Sequence, residues 1–195
     1  MIRMTDSPSK KPSARERLLR ASDELFYNEG IHTVGIDRVL EKAQVAKGSL
    51  YYNFEGGKDE LVSAYLAGRH AAWEKTIDDG IASAGPDPRD RLLSIFDSLG
   101  ILFARPDYRG CAFVNAVAEA EPGGVEEAAS ERFRDWLHGL IGGLVAEIGV
   151  SDPAWTTQQL VILYDGATTT AQMDKQVSAA KAARRMAELI LDSSR

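Results

Sequence analysis

The sequence predicts an all-α chain of roughly nine helices, a three-helix helix-turn-helix unit followed by a larger helical body. Three observations carry this expectation. Apolar residues recur at spacings of three and four along the chain, and no alternating strand pattern interrupts them. Gly- and Pro-containing breaks divide the periodic stretches at helix-sized intervals. Within the first third, the run Ala43–Phe54 reads as a tight turn followed by a very short helix.

The elements follow in order. Met1 to Ser13 carries prolines, serines and basic residues with little to bury, and reads as a flexible arm over 1–13 in which Arg3, Lys10 and Lys11 are the cations. From Ala14 the residues Leu18, Leu19, Ala21, Leu25 and Phe26 fall on one helical face, which Asn28-Glu29-Gly30 ends. A second helix over Ile36 to Ala43 is expected to bury Ile36, Val39, Leu40 and Ala43. The turn Gln44-Val45-Ala46 then opens the short helix, whose Leu50 and Phe54 lie four residues apart as an apolar spine. After Glu55-Gly56-Gly57, Lys58 opens a long helix with Leu61, Ala64, Tyr65, Leu66 and Trp73 spaced for burial. Helical patterns over about 89–105, 110–120, 124–149, 153–173 and 177–192 complete the chain. The corresponding domains are 14–57 for the helix-turn-helix unit, 58–75 for a connecting helix and 76–195 for the body.

Composition narrows the class. The chain of 195 residues has 44% hydrophobic content, enough for a sizeable core, and a net charge of −6. Residues 1–75 hold 12 Lys/Arg against 11 Asp/Glu, whereas the remainder is acidic by seven charges. A near-neutral first third on an acidic body suits a local reader of nucleic acid attached to a part that avoids it. One cysteine, Cys111, leaves no partner for an intramolecular disulfide and no cysteine-based zinc site. No apolar run approaches a bilayer span, and the N-terminus lacks a signal-peptide core. A cytoplasmic protein without cofactor follows as the expectation.

The outward face of the short helix holds Lys47, Ser49, Tyr51, Tyr52 and Asn53, all able to form hydrogen bonds. A short helix with an apolar spine and such a face suits the DNA major groove. Phe26 and Gly30, the Ile36, Val39 and Ala43 core, the run Val45-Ala46-Lys47-Gly48-Ser49-Leu50-Tyr51, then Phe54, Lys58 and Leu61 together resemble the TetR family of transcriptional regulators. The resemblance covers residues 14–65.

The resemblance implies a homodimer on double-stranded palindromic operator DNA, with a C-terminal ligand-binding and dimerisation domain. Lys47, Gly48 and Ser49 would start the recognition helix in the groove. Tyr51 and Asn53 match phosphate contacts, Tyr52 is placed for base edges, and Lys58 matches a phosphate-clamping lysine. Val34 and Gly35 occupy the start of the second helix, where the family usually offers Thr or Ser to cap it and touch a phosphate; Thr33 just upstream is the candidate substitute, and Gly35 caps weakly. With that missing cap there are four departures: Gln44 replaces the usual Gly of the turn, Asn53 replaces the commoner His, and three residues separate Phe54 from Lys58 where two are usual.

For the body, the resemblance implies a partly apolar small-molecule effector, with Phe103, Cys111, Asn115, Trp136 and Asp165 as candidate contacts. It also implies a dimer interface on the last two helices through Leu160, Tyr164, Ala167, Ala171, Ala183, Met186 and Ile190. Cys111 reads either as a redox or electrophile sensor or as a small packing residue. The expected function is a ligand-responsive repressor and not an enzyme. The alternatives are a helical interaction protein, or a Cys111-dependent enzyme with His138 as base, neither binding specific DNA.

Overall fold

The computed structural model describes residues 11–194, so the arm expected over 1–13 lies outside the described residues up to residue 10. Among the described residues there are nine helices and no strand: α1 (Ala14–Glu29), α2 (Ile36–Ala43), α3 (Lys47–Asn53), α4 (Lys58–Ser83), α5 (Pro88–Phe103), α6 (Ala112–Glu119), α7 (Val125–Ile148), α8 (Pro153–Asp174) and α9 (Ser178–Ser193). The chain divides into two compact units after Tyr65, inside the helix read from sequence as a connector over 58–75.

In the first unit, α1 starts at a capping box. The Ser13 hydroxyl accepts from the Glu16 N–H at 3.2 Å, and the Glu16 carboxylate accepts from the Ser13 N–H at 2.7 Å. Its buried face, Leu18, Ala21, Leu25 and Phe26, packs on α2 and α3. Val34, Val39, Leu50 and Leu61 are fully enclosed, and Phe26 meets Tyr65 edge-on at 5.6 Å. Two ion pairs join α1 to α2 on the surface, Arg38–Glu29 at 2.7 Å and Lys42–Glu24 at 2.6 Å. Both are solvent-exposed and add little to stability. Ile36, expected inside, is only half-buried, because it is the first residue of α2 and sits where the helix leaves the core.

The second unit packs α5, α7, α8 and α9 around Leu92, Ile95, Leu99, Leu137, Ile141, Leu160 and Leu191. Helices α8 and α9 form an antiparallel hairpin: the Ser194 carbonyl at the end of α9 accepts from the Ser151 N–H, 2.8 Å away, just before α8. The Trp73 indole donates to the Tyr164 hydroxyl at 2.8 Å, joining α4 to α8.

This packing revises the interface set read from sequence. Leu160, Tyr164, Ala167, Ala171 and Ala183 are buried within their own subunit, filling the seams of α8 and α9, and have no surface to offer a partner. Met186 and the half-buried Ile190 alone keep accessible area. The outward stripe of α8 is instead Trp155, Ile162, Gly166, Thr169 and Met173, and that of α9 includes Met186 and Leu189. The sequence reading took the more regular apolar stripe, which serves the subunit's own core.

Leu50→Ala removes a fully enclosed side chain and is expected to cost about 2–5 kcal/mol. Tyr52→Ala, on the opposite side of the same helix, should shift stability by no more than about 0.5 kcal/mol. Thermal or urea unfolding of the two variants checks the contrast.

Candidate nucleic-acid interface

The geometry of α3 begins at the turn before it. Gln44 ends α2 in the left-handed region, at φ 53° and ψ 51°. Its N–H bonds the Glu41 carbonyl at 3.1 Å, and the Val45 N–H bonds that of Leu40 at 3.2 Å. This pair of bonds is a Schellman closure. From α1, Arg17 Nη1 donates to the Gln44 carbonyl at 3.3 Å. The left-handed backbone that a glycine would supply is therefore reached by glutamine and held by these bonds.

Helix α3 then lies on the core through two side chains. Leu50 and Phe54 are buried, and the Arg15 guanidinium sits 5.2 Å over the Phe54 ring. The opposite face is open: Tyr52 is 88% exposed and Tyr51 51%. Lys47 is exposed at the first position and Ser49 is half-buried behind it. Gly48 borders open space, with no atom within 4 Å of where a Cβ would stand. The fold does not need a glycine there, so its lack of side chain matters only to something approaching from outside. Helices α2 and α3 begin at Gly35 and Ala46 without any side-chain cap, and Thr33 is exposed in the preceding turn. Their first amides are left to solvent or to a ligand.

Two expected contacts are partly occupied. The Asn53 amide donates back to the Ser49 carbonyl at 2.7 Å, which takes up one of its two N–H groups. Lys58 is half-buried, with its ammonium 5.9 Å over the Phe26 ring. The extra residue before Lys58 is absorbed by a turn in which the Gly57 N–H bonds the Phe54 carbonyl at 2.9 Å, with Gly57 at φ 66°.

Of the residues read as effector contacts, Cys111 and Asp165 lie near enough to interact electrostatically, and three have partners within the fold. Phe103 packs tilted on Tyr108 at 5.1 Å. Asn115 donates to the Arg109 carbonyl at 3.0 Å, and Asp165 accepts from Arg134 at 2.8 and 2.9 Å. A cavity of about 160 Å³ lies elsewhere, between α4, α6 and α7, lined by Leu66, Ala67, His70, Ala71, Glu74, Phe113, Ala129 and Arg132. None of the five expected residues lines it. Trp136 stands behind it, 5.0 Å from the His70 ring. His70 meets Phe113 and Phe133 edge-on as well, and its Nε2 is closed off from water with no hydrogen-bond partner among the described residues. A buried unpaired ring nitrogen is the signal that sequence could not provide, since it depends on three aromatics from distant segments.

Cys111 stands at the N-cap position of α6. The residue keeps some surface, but burial of the thiol pushes its pKa up. That direction opposes the lowered pKa of an activated nucleophile. The exposed His138 lies against Arg134 at 3.4 Å. Among the described residues no group of three or more His, Cys, Asp or Glu could hold a metal ion, and no helix is long and apolar enough to cross a membrane.

A helix-turn-helix unit with an open polar face on α3, followed by an all-helical unit, is the arrangement of a class of transcriptional regulators to which this chain is similar. The signature of the bacterial regulatory proteins of the tetR family matches residues 18–65. A solved TetR-family transcriptional regulator from Streptomyces coelicolor is 32% identical, covers 95% of this chain with 91% of its own, and superposes with a TM-score of 0.88. A TetR-type regulator from Streptomyces avermitilis is 27% identical over 94% of this chain and 98% of its own, with a TM-score of 0.79. The HTH-type transcriptional regulator LmrA of Bacillus subtilis is 29% identical over 63% of this chain, which spans just under two thirds, 66%, of LmrA. The chain belongs to the TetR family of transcriptional regulators.

Two outcomes follow from this geometry. Gly48→Ala should raise helix stability by up to about 1 kcal/mol while weakening DNA binding, as read by thermal melting and fluorescence anisotropy on one preparation. The raised Cys111 pKa means that the unfolded chain ionises first as pH rises, so stability should fall from about pH 8.5 upward. A melting temperature that holds constant through that range, or a decline that Cys111→Ser leaves unchanged, contradicts the assignment to the thiol.

Proposed function

We propose that this protein is a homodimeric repressor that leaves a palindromic operator when a small molecule binds its C-terminal unit. The observation that carries the reading is the open polar face of α3, with Tyr52 almost wholly exposed on a helix anchored from behind. Lys47, Ser49 and Tyr52 serve base readout, while Tyr51, Asn53, Lys58 and the Thr33–Gly35 segment serve the phosphates, which set register without specifying sequence.

Homodimer formation is supported by the outward stripes of α8 and α9, where Ile162, Met173, Met186 and Leu189 expose apolar surface. Effector binding is supported by the cavity beside His70. Its volume suits a single small ring. A ligand that prefers one arrangement of the dimer moves the two recognition helices off half-sites about 34–36 Å apart.

Selection of bound DNA from a random pool is the test. An inverted repeat should emerge, bound with steep salt dependence and lost in the double variant Lys47→Ala, Tyr51→Ala. Ring compounds that raise the melting temperature of the wild type, but not of Ala67→Trp with its cavity mouth filled, should release that DNA. Binding that ignores salt and survives the double variant sinks the reading.

A further inference from the structure

Gln44 is one of two non-glycine residues with positive φ among the described residues; the other is Lys175, at φ 56°. An L side chain in this conformation is strained. At Gln44 the strain is held in place by the bonds from its own N–H and from Val45, and by Arg17 on its carbonyl. With the backbone so fixed, the side-chain amide is the part of the residue left over. Gln44 is exposed, and among the described residues no hydrogen bond is made by its side chain. It also stands three residues ahead of Lys47, at the entry to the open face of α3. Lys175 shares the backbone conformation but ends α8, in the other unit.

We propose that Gln44 is itself a DNA contact, its side-chain amide donating to a phosphate at the edge of the half-site that α3 enters. The proposal rests on the DNA-binding reading of α3. A residue in the turn reaches the rim of a groove rather than its floor, and the rim is phosphate. An amide N–H is a suitable donor to an anionic oxygen. Being uncharged, it contributes affinity without displacing a counterion, which separates it from the phosphate contact at Lys58. The glutamine thus exchanges local backbone comfort for an outward donor at a position where glycine would fold more easily.

Three single variants on the operator selected by the wild type decide the matter. Gln44→Met keeps the strain and the size but loses the donor, and should bind about tenfold more weakly per half-site with an unchanged melting temperature. Gln44→Gly should lose the same affinity while melting about 2–4 °C higher. Lys175→Gly should also melt higher and bind as the wild type does. In both Gln44 variants the preferred sequence and the salt slope should stay those of the wild type, whereas Lys58→Ala lowers the slope by about one per half-site.

Wild-type affinity in Gln44→Met overturns the contact, leaving any loss in Gln44→Gly to turn flexibility. A changed base preference at one position overturns the phosphate assignment. An equal loss in Lys175→Gly overturns a local role. A wild-type chain that selects no sequence overturns the DNA-binding reading and this contact with it, an outcome separate from the other three.

Discussion

A helix of seven residues does not hold itself together in water, because it forms too few internal bonds to repay its nucleation. Everything α3 presents therefore depends on its attachment to α1 and α2. Leu50 and Phe54 supply that attachment, the Schellman turn sets its angle of entry, and Arg15 closes over the Phe54 ring. Because the anchoring side chains are confined to one side, the other can remain free of packing duties. The exposure of Tyr52 and the open space at Gly48 are consequences of that division.

Much of the first unit was legible because its signals are local. The stop at Gly30, the span Ile36–Ala43, and the spacing of Leu50 and Phe54 each depend on residues within a turn or two of one another. What was not legible depended on where side chains go. Asn53 reads as a phosphate contact and also bonds back to the Ser49 carbonyl, and Lys58 reads as a phosphate clamp and also lies over Phe26. The break between the two units after Tyr65 falls mid-helix, where no change of composition marks it.

The second unit was less legible for a related reason. Its helices carry apolar residues on more than one face, so periodicity marks α8 as buried without saying which stripe meets its own subunit. Leu160, Tyr164 and Ala167 proved to be core, while the stripe bearing Ile162 and Met173 stayed outside. The cavity beside His70 is built from three segments far apart in the chain, and its charged rim, Glu74 and Arg132, is ordinary when each residue is read alone.

The three tryptophans occupy three unlike surroundings. Trp73 is tied by its indole N–H to Tyr164, Trp136 lies against His70 and Phe133 beside the cavity, and Trp155 stands 57% exposed at the start of α8. Indole emission follows polarity and hydrogen bonding, so the molecule carries its own optical reporters. A shift at Trp73 signals separation of α4 from α8, one at Trp136 signals events at the cavity, and one at Trp155 signals coverage of the outer face of α8. Single-tryptophan versions of the chain would let each event be followed by its own colour, without an attached dye.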